Sequence, residues 1–287
     1  MLPAGTIAAT TQEVVVQDPP PFAARLRFWR NRRGLSQLEC AGRAGISQRH
    51  LSFLELGRAA PSRDMVARLA GTLDLPLRQH NVLLRAAGFA PLWRQTDLAA
   101  PELAQVSKAI AFILAQQEPF PAVVVDRRWN LIDANRGATH LVEHLVGPLA
   151  PGTQVNLADA LVAPDVLRPF LLNWPDVVRY FIRGVEADAA ADGTDETAAL
   201  LARLLAYPGV RAALKTTPSD TTPVLPMHFR KEGTSLRLFT TIATLGTPQD
   251  ITTQELRIEC FFPMDDETAR ILRGWAAACP ASASVRL

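Results

Sequence analysis

SQLECAGRAGISQRHLSFLELG, residues 36–57, spells two short helices and the turn between them. Ser36 can cap the first helix while Glu39, three residues on, reaches back to the Ser36 amide; this reciprocal box satisfies two donors that a helix start otherwise leaves orphaned. Leu38, Ala41 and Ala44 recur at helical spacing on one face. Gly45 follows where a positive φ would end the helix and redirect the chain. Ser47 can cap the second helix, in which Leu51 and Leu54 share a face with Ile46. Gln48, Arg49, Ser52 and Phe53 fall opposite, on a face able to meet base edges.

Working outward, residues 22–94 hold 13 Arg and no Lys against 4 acids, a balance of +9, whereas the remainder holds 17 bases and 24 acids, a balance of −7. The overall charge of +2 hides this split, and only the basic part suits a polyanion. At 287 residues, 48% of them hydrophobic, two folded domains are expected. Residues 1–21 carry no helical period and end on Pro19, Pro20 and Pro21, the pattern of a disordered tail. Phe22, Leu26 and Trp29 then give a basic amphipathic helix that Gly34 stops. A fourth helix is capped by Ser62, with Met65, Val66, Leu69 and Leu73 facing inward, and a fifth runs from Leu77 towards Gly88.

Residues 95–119 read as a helical connector with an apolar stripe of Leu103, Val106, Ile110, Ile113 and Leu114, suited to packing between domains or between subunits. Then the period changes. PAVVVDRRWNLIDAN, residues 121–135, reads as two extended runs about a polar turn, with Asn135 placed to cap a helix. Further helices fill the interval to Lys215, and VLPMHFRKE, SLRLFTTIAT and ELRIECFFP restore strand patterning, with Gly233 as a turn. The fold class expected is α+β: a five-helix domain over residues 22–94, the connector, and a sheet interrupted by helices over residues 120–287.

Residues 25–62 resemble the helix-turn-helix regulators of the Cro/C1 or XRE type, whose fold is that of the lambda repressor. The likeness rests on Ser36-Gln37, on Ala44-Gly45-Ile46-Ser47, and on Leu54-Glu55-Leu56-Gly57-Arg58 with Pro61 and Ser62 behind. It implies that Gln37 touches the DNA backbone, that Ser47, Gln48 and Arg49 read bases, and that Ser52 and Phe53 join them. Arg43 and Arg58, with Arg30, are phosphate candidates, Arg30 serving equally as a structural residue. Phe53 stands where many relatives have a polar residue, which leaves it a thymine methyl to contact. Operator sites of this kind are met by dimers, so double-stranded DNA and a second copy of the chain are the expected partners.

Residues 120–270 are similar to the MmyB-like ligand-binding domain, a PAS-like sheet carrying helices. The similarity rests on residues 121–135, on Asn173-Trp174 ahead of a long helix, and on the paired late strands. Where that family commonly has a Trp shortly before a His-Val pair leading into those strands, this chain has Pro226-Met227-His228-Phe229. The resemblance implies an apolar cavity that takes a fatty-acid-like molecule, with Val124, Trp129, Leu131, Trp174, Phe181 and Phe239 as candidate lining. Large aromatics at strand and helix starts serve equally as core. A domain that only dimerises or docks another protein is the alternative, and solid packing behind Trp129, Trp174 and Phe239 would favour it.

No catalytic group is nominated: Asp126, Asp133 and Glu143 are scattered, and nothing resembles a nucleophile elbow around a serine. His140 and His144 share a helix face, yet spacing supplies no third ligand, so neither a metal nor another cofactor is expected. Cys40, Cys260 and Cys279 are too few and too far apart for a disulfide framework. No run of about 18 apolar residues and no signal peptide is present, and a cytoplasmic location without membrane attachment is expected.

Overall fold

Three helices of the basic region begin on a serine cap. The computed structural model describes residues 21–150, 152–217 and 223–278, so the expected tail, up to residue 20, lies outside the described residues. The helices are α1 (Phe22–Arg32), α2 (Gln37–Ala44), α3 (Gln48–Glu55), α4 (Arg63–Thr72) and α5 (Leu77–Ala86). Ser36, Ser47 and Ser62 each accept a backbone N–H from the residue three further on, at 3.1, 3.1 and 3.2 Å. Gly45 takes a left-handed conformation (φ 65°, ψ 36°) that a β-carbon would strain, and this closes α2 and aims α3. Leu26, Trp29, Cys40, Leu51, Leu54, Val66 and Leu69 form the buried interior.

The stripe is buried only in part: Ala41 and Ala44 are buried together with Cys40, while Leu38 is 65% exposed. Small residues let α2 lie close to its neighbours, and a leucine on that seam would hold them apart.

By its internal contacts the chain divides into one unit of residues 1–74 with 82–91 and another of residues 75–81 with 92–287. In the second unit a short 3₁₀ turn at Pro101–Leu103 leads into α6 (Ala104–Gln117). Five antiparallel strands follow in the chain: β1 (Ala122–Val125), β2 (Leu131–Ala134), β3 (Met227–Lys231), β4 (Thr234–Ala243) and β5 (Arg257–Pro263). Their spatial order is β2-β1-β5-β4-β3, so the last strand in sequence is the central one. Between β2 and β3 run α7 (Arg136–Val146), α8 (Leu157–Val162), α9 (Trp174–Asp192), α10 (Asp195–Ala206) and α11 (Val210–Ala213). Between β4 and β5 comes α12 (Ile251–Glu255), and α13 (Asp266–Ala278) ends the described chain.

Both faces of the sheet are covered, and strand alternation sorts the side chains between them. Ala122, Val124, Ile258 and Cys260 pack with Ile110 and Leu114 of α6 on one face. Val123, Val125, Phe229, Leu236 and Leu238 pack on the other with α7 to α11 and α13. The connector helix therefore lies on the sheet of its own unit, where its stripe finds an apolar surface. Asn135 caps α7 as its place after β2 suggests, accepting from Ala138 N at 2.9 Å and from Ala122 N at 2.9 Å. Gly137 is required behind it, because a β-carbon there would lie 2.5 Å from the Pro119 carbonyl oxygen.

Candidate functional site

In the first unit α3 is fixed from behind by one buried carboxylate. Glu55, the last residue of α3, has a fully buried side chain that accepts from Arg30 Nε at 2.6 Å and Nη2 at 3.0 Å. It also accepts from Gln37 Nε2 at 2.9 Å, while Arg27 donates to its backbone carbonyl at 3.0 Å. Arg30 adds a bond to the Leu35 carbonyl at 2.7 Å, and its pKa is raised, chiefly by its hydrogen bond to Glu55. One side chain thus ties α1, α2 and α3 together. Arg30 is placed as a structural residue, and the Gln37 amide turns inward onto Glu55.

Gln48 and Arg49 stand exposed at the start of α3, beside Ser47, while Ser52 and Phe53 are half-buried one turn on. The Arg49 guanidinium lies 5.3 Å from the centre of the Phe53 ring, an arrangement that steadies a long side chain without using up its donors. Arg43 and Arg58 are exposed, and neither forms an ion pair among the described residues. Glu39 is held below the usual carboxylate range by its hydrogen bond from the Ser36 backbone N–H, the two closing the box that starts α2.

The second unit contains a cavity of about 410 Å³ between the sheet and its helices, within the range of small-molecule sites. Its walls are almost wholly apolar: Val123, Leu141, Leu145, Leu161, Phe181 and Met227 are representative. Tyr180, Val224 and Ile242 border it and are 48%, 40% and 51% exposed, so the cavity opens to the surface through an apolar rim. On α9, Gly184 faces the cavity, and a β-carbon added there would meet no atom within 4 Å.

Of the six candidate lining residues, Trp129 and Phe181 reach this cavity, their rings edge to face at 4.7 Å. Trp129 sits at φ 65°, an unusual conformation for a bulky residue, and its ring packs under the Arg257 guanidinium at 5.6 Å. The other four lie elsewhere. Val124 and Phe239 project to the opposite face of the sheet, Val124 among the residues against α6 and Phe239 stacked on Phe262 at 5.4 Å. The reason is parity: Val123 and Thr240, one residue away on each strand, face the cavity. Trp174 is core, its indole N–H donating to the Leu161 carbonyl at 2.9 Å. Leu131 borders a separate polar cleft with Arg128 and Asn130.

Glu259 and Thr240 are the polar wall residues that sequence reading passed over. Glu259 lies on the central strand, opposite Val123 of β1 and Ile242 of β4. Burial pushes its carboxyl up to about 7, against smaller downward effects of a hydrogen bond from the Thr240 hydroxyl and of the Arg257 charge. The alternation in RIECF gave a signal, but one that reads as a wet face. His144, considered as half of a metal pair, packs on Trp275 at 4.8 Å, and burial lowers its pKa. Among the described residues no group of three potential ligands gathers, and no helix is long and apolar enough to cross a membrane.

Residues 106–274 match the family model described as the MmyB-like transcription regulator ligand binding domain. The chain belongs to this MmyB-like family. Residues 21–83 match a helix-turn-helix domain. The protein is thus a helix-turn-helix transcription regulator with an MmyB-like ligand-binding domain, and both matches are to DNA-binding and ligand-binding domains rather than to enzymes. No curated protein matches the chain significantly. Among solved structures the chain is similar to "Structure of an RNA-binding Light-Oxygen-Voltage Receptor", at 13% identity and a TM-score of 0.28, over 88% of this chain. It spans 61% of that structure's length, and the likeness is too low to bear on fold or function. In the MmyB-like domain the matched residues enclose the whole cavity wall.

Proposed function

We propose that this MmyB-like regulator works in the cytoplasm as a homodimer that grips operator DNA with α3 of each copy and releases or tightens that grip when a small apolar, fatty-acid-like molecule enters the cavity. The observation that carries the sensing half is the cavity itself. A domain built only to dimerise or to dock a protein has no use for about 410 Å³ of open, apolar-walled space behind Trp129 and Phe181. On the DNA side, Gln48 and Arg49 have the chemistry to pair bidentately with adenine and guanine edges, each pair contributing about 1–3 kcal/mol of discrimination. Arg43 and Arg58 serve as phosphate contacts that position the helix and make binding salt-dependent.

The switch is a population shift. A ligand that binds one arrangement of the dimer better than another alters the separation of the two reading helices, which have to meet half-sites about one DNA turn apart. The sensing half is tested by native mass spectrometry of the purified protein, together with a panel of fatty acids scored for their effect on operator affinity. A bound aliphatic species, or a shift in affinity, is expected; the lack of both overturns it. For the DNA half, replacing Gln48 and Arg49 together by Ala is expected to remove sequence preference while leaving the fold and a salt-sensitive, non-specific affinity. Unchanged preference overturns the assignment of α3.

A further inference from the structure

Trp129 lines the cavity and is 6% exposed, and its indole N–H has no hydrogen-bond partner. Trp93 and Trp174 show the usual arrangement, their N–H groups donating to His80 Nδ1 at 3.0 Å and to the Leu161 carbonyl at 2.9 Å. A buried donor left without an acceptor is costly. The Trp129 ring is flanked by Phe181, which is apolar, and by the Arg257 guanidinium, which only donates, so the cavity is the open space from which an acceptor can come.

Glu259 is the one carboxylate of the same wall, and among the described residues the wall contains no Lys, Arg or His. It stands two residues from Arg257 on β5, on the same face of the sheet and roughly 7 Å along the strand. Because the Arg257 guanidinium lies over the Trp129 ring, carboxyl and indole border the same part of the cavity. Around Glu259, β1 contributes Val123, β3 Met227 and Phe229, β4 Thr240 and Ile242, and α7 and α8 apolar side chains; Tyr180 of α9 is the other ionisable group of the wall. Arg257, paired with Asp188 of α9 at 2.6 Å, is the cation that acts on the carboxyl.

We propose that the guest's head is a carboxyl group received at this place, one oxygen accepting from the Trp129 indole N–H and the other held to the Glu259 carboxyl through a single shared proton. The proposal rests on the cavity being a ligand site and adds the residues that receive the head. Two carboxyl groups in contact do not both ionise, so one proton stays between them. Burial has already pushed Glu259 up to about 7, so below that pH Glu259 brings the proton, and above it the pair takes one from water as the guest enters. The indole N–H, bonded to a charged oxygen, makes one of the stronger kinds of hydrogen bond.

The test is isothermal titration of the full chain with decanoate and decanol, repeated in buffers of different ionisation heat so that protons taken up are counted. At pH 8.5 decanoate is expected to take up about one proton and decanol none, and decanoate should bind about tenfold more tightly at pH 6.5 than at pH 8.5. Glu259→Gln should still bind decanoate but without the uptake. Trp129→Phe, which keeps an aromatic ring and removes the N–H, should weaken decanoate about tenfold and decanol less. Decanoate bound at pH 8.5 without proton uptake, uptake that persists in Glu259→Gln, or equal weakening of both probes in Trp129→Phe each overturns the head assignment and leaves the cavity reading standing. Binding of neither probe overturns both. If Trp129→Phe fails to fold, the proton count in wild type and in Glu259→Gln decides by the same criteria.

Discussion

Each half of the molecule draws a glutamate inward, Glu55 fully and Glu259 in part, and the two are treated in opposite ways. Glu55 in the helix-turn-helix unit is surrounded by donors, with Arg30 gripping both its oxygens and Gln37 adding a third bond. Glu259 in the MmyB-like unit stands in the wall of an apolar cavity, with Thr240 on the adjoining strand as a hydroxyl-bearing neighbour and open space in front. A carboxylate whose bonds are all made inside the protein can only hold structure, whereas one left short of partners is available to something that arrives from outside. The output half spends its buried charge on rigidity, the sensing half on reactivity towards a guest.

The sharpest way to break this contrast is at Glu55. Glu55→Ala leaves the Arg30 cation buried without its partner and should destabilise the first unit by about 3–5 kcal/mol, read as a fall in the denaturation midpoint. A loss below about 1 kcal/mol would mean that the pair is no more than a surface contact. Glu259→Gln should act in the opposite sense. Because the folded-state pKa of Glu259, about 7, lies above its ordinary value of 4.5, its stabilising contribution is full below pH 4.5 and is lost as pH rises through 7. The variant should therefore match wild type near pH 4.5 and exceed it at pH 8 by about 2 kcal/mol, allowing for the solvent the cavity admits. Equal stability at both pH values would remove the contrast.

The smallest effect sharpens rather than breaks it. Gly184→Ala should raise stability by about 0.5–1 kcal/mol, since a helix interior gains from Ala and no atom stands in the way. Gly184→Leu should keep wild-type stability within about 1 kcal/mol yet exclude aliphatic probes from the cavity, seen as lost binding heat with operator affinity intact. Unfolding of either variant would show that the space at Gly184 is not open.

What could be read beforehand follows from how local each signal is. The caps at Ser36, Ser47 and Asn135 and the left-handed Gly45 are decided by residues within a turn of one another, and all four are found in place. Packing between elements is not local. Nothing within α2 tells that Leu38 faces solvent while Cys40 is buried, because that depends on how closely neighbouring helices approach. Nor does the sequence around Val124 and Phe239 give the parity of their strands, where a single step exchanges one face of the sheet for the other. Glu259 was hidden by the assumption that polar residues alternating with apolar ones look out to water. On a central strand covered on both sides such a residue points into the domain instead, here towards the cavity.

Trp129 carries a practical consequence. It is one of five tryptophans in the chain, and it alone among them is in the cavity wall, with Phe181 on its edge and the Arg257 cation over its ring. A guest entering beside that indole changes what the ring touches, and its emission changes with it. The regulator is supplied with its own optical gauge of occupancy, readable in a cuvette without label, operator or partner.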